Sequence, residues 1–242
     1  MTHTFSFLRI FNTILFLAVI YNLPTMAQGN PVSDGTEDWT IVATYTIPGK
    51  ASGLAWDGND LYFGIYGSNG DQVYTFNPET GTYNLLFSNF SINDSYGMTF
   101  DGTDLWITDH GLSTSVPAYA LQLDFSGTAL SQFDLPDHYM SGIAYDNGDF
   151  WVCTYYPDPG TIYKVDATGA ILEEIPSPEA QPWDICLENE NLWVVDYYDT
   201  TIIKIDKEGN ILETHDAENI KPAGLVYDGE YLWYVDGPNS SP

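Results

Sequence analysis

The sequence predicts an all-β protein in which one four-stranded unit repeats around a ring. The first observation is a twelve-residue phrase that occurs five times with the same order of apolar, acidic and aromatic positions. The second is its spacing, because successive copies begin 44, 45, 42 and 40 residues apart. The copies are SGLAWDGNDLYF from Ser52, YGMTFDGTDLWI from Tyr96, SGIAYDNGDFWV from Ser141, WDICLENENLWV from Trp183 and AGLVYDGEYLWY from Ala223. A repeat of about 40–50 residues is typical of one four-stranded β-propeller blade.

The third observation is the series of strand and turn signals inside each unit. A short alternating strand ends at an Asp-Gly, Asp-Asn or Glu-Asn turn, where these side chains tolerate the positive φ of a tight hairpin. The second strand, such as LWITD or LWVVD, is rich in the aromatic and β-branched residues that favour strands. A third strand, a glycine-containing turn and a fourth strand complete the unit. No segment has the periodicity of an amphipathic helix.

The repeat places four complete blades and one partial blade in the chain. We predict the blades at about 51–90, 95–136, 140–178 and 182–217, with a partial blade at 222–242. Segment 39–48, WTIVATYTIP, is predicted to pair into the last blade and close the ring. The result is either a five-bladed ring whose last blade lacks one strand or a truncated six-bladed ring. The open hydrogen-bonding edge left after a second strand favours truncation.

The first 27 residues have the layout of a secretory signal peptide. Arg9 precedes the apolar run IFNTILFLAVIY, which is short for a spanning helix, and small residues Thr25 and Ala27 precede Gln28. We therefore predict a signal peptide at 1–27, a disordered linker at 28–38 and a propeller domain at 39–242 in a secreted or periplasmic protein. An uncleaved N-terminal anchor is the alternative. After cleavage no membrane insertion is expected, and residues 1–27 are left out of the predicted fold.

The composition is strongly acidic. The chain has 34 Asp and Glu against 6 Lys and Arg, for a formal net charge of −28 at pH 7. Such a surface repels phosphate backbones and anionic lipid head groups, so nucleic-acid binding is not expected. Divalent cations suit this surface, although solubility explains the same composition. In a secreted protein Cys153 and Cys186 would be in an oxidising compartment, and the sequence leaves open whether they form a disulfide or remain two buried thiols.

Two stretches resemble the repeats of a known group of propellers. PAGLVYDGEYLWYVD and PWDICLENENLWVVDYYDTTIIKIDKEGNIL are similar to NHL repeats and to the related TolB-like and YVTN-type propellers. The shared pattern is Pro-x-Gly-apolar, an Asp-Gly turn, LWV-x-D and I-x-K-x-D-x-x-G, and the resemblance covers residues 51–236. It implies the architecture but no single activity, because such rings include binding proteins, lyases, lactonases and glycan-active enzymes.

Most recurring acidic residues are predicted to shape turns. One set occupies the first hairpin turn of each blade and a second set begins the turn between the third and fourth strands. We expect these carboxylates to accept backbone N–H groups. The sets are Asp57, Asp101, Asp146, Glu188 and Asp228, then Asn77, Asp124, Asp166 and Asp206.

Departures from the repeat indicate the candidate ligand site. Trp183 and Asp184 stand where other copies have a smaller pair ending in glycine. Aromatic residues and histidines are concentrated in the loops expected at the same end of the ring, where rings could stack on the apolar faces of a sugar or peptide. Ordinary packing between blades is the alternative. The candidate ligand-binding residues are Trp183, Asp184, His110, Tyr155, Tyr156, Tyr197 and His138.

A calcium site is a further hypothesis. Asp109, Asp196 and Asp236 end second strands, and together with Asp184 they could supply oxygen ligands from several blades. No linear calcium-binding motif supports this site, and turn capping explains the same positions. No other cofactor is expected.

The predicted function is a ligand- or protein-binding module that acts through the loop-rich mouth of its channel. Its expected partner is an extracellular protein, peptide or glycan. The rival is a metal-dependent lyase or lactonase that uses Asp184 with His110 or His138, and a structural array is a third possibility. A lactonase-like metal site would need several ligands at the starts of the innermost strands, where all the copies except Asp184 have glycine.

Overall fold

The computed structural model of the protein describes residues 3–9, 40–65, 71–89, 95–111, 117–178, 180–217 and 221–236. Over these residues the chain forms twenty strands in five four-stranded antiparallel sheets. The predicted all-β propeller class is therefore confirmed. Within the same ranges there is no helix long and apolar enough to cross a membrane. The predicted linker at 28–38 lies outside the described residues.

The strands follow the repeat along the chain, and the N-terminal pair belongs to the last blade. This pair is β1 (His3–Arg9) and β2 (Thr40–Ile47). The first blade contains β3 (Ala51–Trp56), β4 (Leu61–Ile65), β5 (Asp71–Asn77) and β6 (Thr82–Asn89), and the second contains β7 (Ser95–Phe100), β8 (Leu105–Asp109), β9 (Tyr119–Leu123) and β10 (Ala129–Asp134). The third contains β11 (Met140–Asp146), β12 (Asp149–Thr154), β13 (Thr161–Asp166) and β14 (Ile171–Pro176). The fourth contains β15 (Pro182–Glu188), β16 (Asn191–Asp196), β17 (Thr201–Asp206) and β18 (Ile211–Asp216), and β19 (Pro222–Tyr227) and β20 (Tyr231–Asp236) begin the last.

The last blade has four strands, whereas the sequence predicts that it lacks one. Its order is β19-β20-β1-β2, so β1 takes the third place and pairs antiparallel with both neighbours. Segment 40–47 is its fourth strand, in agreement with the predicted N-terminal closure. Residues 3–9 thus belong to the ring in this structure, although they were left out of the predicted fold. Cleavage after residue 27 remains a prediction, and it would remove β1.

The innermost strands of the five blades close the ring around its axis. β3, β7, β11, β15 and β19 each contact the next, and β19 contacts β3. Apolar side chains fill the spaces between neighbouring sheets, including the fully buried rings of Trp151, Trp193 and Trp233. Such large rings dominate the apolar area that folding removes from water. Cys153 and Cys186 are buried free thiols, so the structure favours the second of the two alternatives for these residues.

The predicted role of the first-turn carboxylates as acceptors of backbone N–H groups is confirmed in three blades, where Asp57, Asp101 and Asp228 each accept two such groups. In each blade one carboxylate accepts a hydrogen bond from an aromatic side chain of the following strand. The donor is an indole N–H in four blades, with distances of 2.6–3.0 Å, and the Tyr62 hydroxyl in the first blade, at 2.7 Å. The pairs are Tyr62 with Asp57, Trp106 with Asp101, Trp151 with Asp146, Trp193 with Glu188 and Trp233 with Asp228. This bond explains why the acidic turn and the aromatic residue recur together.

Candidate functional site

The ring has two different ends, which we call the loop face and the turn face. The loop face carries the starts of the innermost strands and connections from second to third strands, including residues 110–111, 117–118, 155–160 and 197–200. The turn face carries the ends of the innermost strands and the acidic hairpin turns. The turn face is regular from blade to blade, whereas the loop face holds the departures from the repeat.

Aromatic side chains from three blades meet on the loop face. The loop-face cluster consists of Tyr96, His110, Tyr139, Tyr155, Tyr156, Trp183, Tyr197 and Tyr198. Trp183 is central, with its ring centroid 4.5 Å from that of Tyr197, 4.9 Å from Tyr155 and 5.2 Å from Tyr96. The structure therefore brings together five of the seven predicted ligand-binding residues: Trp183, His110, Tyr155, Tyr156 and Tyr197.

The position of Trp183 in the repeat explains how the cluster forms. Trp183 and Tyr96 occupy equivalent places at the starts of β15 and β7, two blades apart. Between them, the equivalent place in β11 is the small Ser141, and Tyr155 from the same blade contacts both large rings. Sequence reasoning missed Tyr96, although it is the one other copy of the phrase that begins with an aromatic residue.

The cluster has a buried base and an exposed rim. Trp183, Tyr197 and His110 are buried, while Tyr156 and Tyr198 expose 57% and 60% of their surface. Lys221, which sequence reasoning also missed, places its Nζ 4.8 Å from the ring centre of Tyr197 and 5.1 Å from that of Tyr198. The exposures of Tyr156 and Tyr198 are the two highest among the large hydrophobic side chains of the described residues, and both belong to one cluster.

One polar atom in the base has no internal partner. The Trp183 Nε1 is buried, and no acceptor lies within hydrogen-bonding distance of it among the described residues. A buried indole N–H usually has an acceptor, because leaving it unpaired costs about 1–3 kcal/mol. Trp183 therefore combines an apolar surface with a donor that a ligand could satisfy.

His138 does not join the cluster. Its half-buried ring makes no contact with the cluster rings in the part of the chain that the structure describes, and its backbone carbonyl accepts the Thr154 hydroxyl at 3.0 Å. The neighbouring Tyr139 instead enters the cluster, with its ring centroid 5.7 Å from that of Tyr155. Its φ of 57° is uncommon for a large side chain. Bonds from Tyr139 N–H to the His110 carbonyl and from Tyr155 N–H to the Tyr139 carbonyl hold this conformation.

Asp184 lies at the axis of the ring and is closed off from solvent. Its side chain is fully buried, and its Oδ2 accepts the backbone N–H of Leu225 from the next blade at 2.8 Å. Burial raises the pKa of Asp184 well above its usual range, more than the nearby N–H groups of Ile185, Leu225 and Ile143 lower it. In this structure Asp184 links neighbouring blades at the axis, and a ligand at either face would not reach it.

The burial of Asp184 has a measurable consequence for stability. Its folded pKa lies above its unfolded value of about 3.8, so between these values the folded protein holds a proton that the unfolded chain has released. Stability from this group is full at low pH and falls as pH rises through that window, by up to about 1.4 kcal/mol per pH unit. We expect Asp184→Asn to flatten the decline in unfolding free energy above pH 4, measured by denaturant titration. An unchanged slope would contradict this assignment.

Two of the four aspartates predicted to bind calcium, Asp109 and Asp196, accept hydrogen bonds from neighbouring backbone N–H and hydroxyl groups. Asp196 Oδ1 accepts the N–H groups of Tyr198 and Asp199, and its Oδ2 accepts that of Gln181. Asp109 accepts the Gly111 N–H and the Tyr119 hydroxyl. Within the described ranges no three His, Cys, Asp or Glu side chains converge to hold a metal ion, and the side chain of Asp236 lies outside those ranges. The turn-capping alternative therefore accounts for Asp109 and Asp196.

Comparison with known proteins shows the fold. No protein-family model matches the sequence, and no curated protein matches it. A chain of a nidogen–laminin complex is similar with a TM-score of 0.56 at 16% identity over 97% of this chain and 85% of that one. A luciferin-regenerating enzyme gives 0.51 at 14% identity over 78% and 92%, and a glutaminyl cyclase from Myxococcus xanthus gives 0.50 at 15% over 64% and 72%. The chain shares the β-propeller fold with these structures, while the finer resemblance to NHL repeats has no matching family model.

Proposed function

We propose that the protein is a ligand-binding module whose loop-face cluster holds a neutral glycan. The observation that carries the proposal is the exposed aromatic rim of Tyr156 and Tyr198 above a buried base whose Trp183 N–H has no acceptor in the described chain. Sugar rings have apolar faces that stack on aromatic side chains and hydroxyl groups that accept hydrogen bonds.

The charge of the protein narrows the ligand class. With a net charge of −28, the surface disfavours acidic glycans and other polyanions. The Lys221 ammonium, which lies against the rings of Tyr197 and Tyr198, supplies a donor at the edge of the cluster. A neutral oligosaccharide would use the rings as a platform and the indole and ammonium groups for orientation.

The rim gives the first test. We expect the double variant Tyr156→Ala, Tyr198→Ala to raise the Kd for neutral oligosaccharides, found by screening an array and measured by calorimetry, by at least about tenfold. The matched control is Tyr83→Ala, since Tyr83 is an exposed tyrosine on the outer strand β6, away from the loop face. The proposal fails if no neutral glycan binds, or if both variants weaken binding equally.

Trp183→Phe tests the base of the site separately. Phenylalanine keeps an aromatic surface but has no N–H donor. Because this donor has no internal partner among the described residues, the change is expected to weaken glycan binding by about 0.5–1.5 kcal/mol. The smaller ring also leaves a gap among the packed rings, so a lower unfolding free energy is expected as well and is measured separately from affinity. A loss of stability with unchanged affinity would assign Trp183 to packing alone.

A further inference from the structure

The backbone is strained at two positions of the loop face. Among the described residues four residues other than glycine have a positive φ, and they are Tyr139 at 57°, Asn147 at 54°, Asn189 at 56° and Thr200 at 59°. Asparagine accepts this conformation readily, and Asn147 and Asn189 lie in first hairpin turns on the turn face. A large ring or a β-branched side chain crowds the backbone there, so Tyr139 and Thr200 are the costly cases. Both lie on the loop face, one before β11 and one before β17.

Hydrogen bonds hold the short loop that ends at Thr200. The buried Asp196 carboxylate accepts the N–H groups of Tyr198 and Asp199 at 2.7 and 2.8 Å. The Thr200 carbonyl accepts the Ala217 N–H at 2.7 Å, from the chain that follows β18. These bonds fix the loop between β16 and β17 in one conformation, although that conformation is strained at Thr200.

Each exposed ring of the rim is connected to one of the two strained residues. The loop that ends at Thr200 carries Tyr197 and Tyr198, and their rings pack edge-on with centroids 5.4 Å apart. The first ring belongs to the base of the cluster and the second to its rim. On the other side, the ring of Tyr139 packs edge-on against the exposed ring of Tyr156, also at 5.4 Å.

We propose that Thr200 and Tyr139 are positioning residues that fix the rim of the cluster before a ligand arrives. Strained backbone persists only where the surrounding structure holds it, and it is concentrated at ligand-binding and active sites. A rim that is already in its bound conformation loses less conformational freedom on binding, which increases affinity. Glycine at either position would remove the strain but would give the backbone more conformations. The inference rests on the proposed function, in which the rings of Tyr156 and Tyr198 stack on a neutral glycan.

Thr200→Gly tests the backbone alone, because it leaves every side chain of the cluster in place. Without the strain, the melting temperature of the full chain is expected to stay the same or to rise by up to about 4 °C. The amide hydrogens of Tyr198 and Asp199 are nevertheless expected to exchange at least about fivefold faster. The Kd for the neutral probes cellohexaose, maltohexaose and xylohexaose is expected to rise at least about fivefold for whichever binds. A purely structural role would instead lower stability and affinity together.

The matched control is Thr103→Gly. Thr103 is an exposed threonine of a hairpin turn on the turn face, and its φ is not positive. Glycine there releases no strain and adds freedom to the unfolded chain, so the melting temperature should fall while affinity stays unchanged. If Thr200→Gly lowers the melting temperature as the control does, or leaves amide exchange unchanged, the inference is overturned. If the original chain binds no neutral glycan, the proposed function fails instead, and the melting and exchange results still decide whether Thr200 holds the rim.

A second pair of variants tests Tyr139. Tyr139→Phe keeps the ring beside Tyr156 and is expected to bind the same probes within about twofold of the original chain. Tyr139→Gly removes the ring and frees the backbone, so its Kd should rise at least about tenfold. Equal affinities for the two variants would exclude Tyr139 as a positioning residue.

Discussion

Gly97→Ala is expected to destabilise the ring by at least about 3 kcal/mol. A Cβ at Gly97 would lie 2.5 Å from the Ser141 carbonyl oxygen, 2.7 Å from the Ile143 nitrogen and 2.8 Å from the Gly142 Cα. All three atoms belong to the backbone of the next blade, so no side chain can rotate away. The added methyl group must push two innermost strands apart at the axis.

Hydrogen bonds across the axis increase this cost. The buried Thr108 hydroxyl accepts the Gly97 N–H at 2.8 Å and lies within hydrogen-bonding distance of the Ser141 carbonyl, and so it joins two blades. Separating β7 from β11 would weaken this connection and leave polar groups buried without partners, at about 1–3 kcal/mol each.

The matched control for Gly97→Ala is Gly64→Ala. A Cβ at Gly64 would have side-chain atoms as its nearest neighbours, with the flexible Met98 Cε at 3.3 Å. We therefore expect a change in unfolding free energy of less than about 1 kcal/mol, measured for both variants by denaturant titration. Equal costs for the two variants would contradict the close approach of the blades at the axis.

Removal of residues 1–27 is expected to have the second large effect. β1 pairs with β20 from Phe5 to Arg9 and with β2 along its whole length, so its loss exposes an edge on each neighbour. Each lost hydrogen bond contributes about 1 kcal/mol, and several are lost on both sides of the strand. We expect a chain that begins at Gln28 to lose on the order of 5 kcal/mol and to show rapid hydrogen exchange in β2 and β20.

A single substitution in the complete chain separates the effect of strand pairing on stability from the effect of shortening the chain. Ser6 pairs with Thr44 on one side and Tyr234 on the other. Ser6→Pro removes a backbone donor from the middle of a three-strand ladder and should destabilise the protein, whereas Ser6→Ala keeps that donor and should not. If the chain from Gln28 and Ser6→Pro are both as stable as the original, β1 contributes nothing to the fold. That result would support a cleaved signal peptide.

Part of the candidate site could be predicted from the sequence, because a break in a repeat marks a position that packing alone does not explain. Trp183 and the tyrosines of neighbouring loops were predicted from such breaks, and the structure places them in contact. His138 and Asp184 were also predicted to bind the ligand, but the structure places neither side chain in the cluster. Their positions depended on where each side chain points. Trp183 enters the aromatic cluster, whereas its neighbour Asp184 is enclosed at the axis. The β15–β16 register shifts between Pro182 and Asp184 and leaves Trp183 unpaired, so the regular alternation of a strand could not predict where the two side chains point.

By itself the sequence determined the all-β class, the repeat and the acidic turns, because these depend on contacts between residues a few positions apart. The bond from Trp106 to Asp101, for example, spans five residues. Only the tertiary structure decided the third strand of the last blade and the enclosure of Asp184. Each of these features depends on segments that are distant along the chain. Closure of the ring brings such segments together, as when β1 pairs with β20 across most of the sequence. Local residue patterns therefore specify the blades, while ring closure specifies which side chains meet at its two faces.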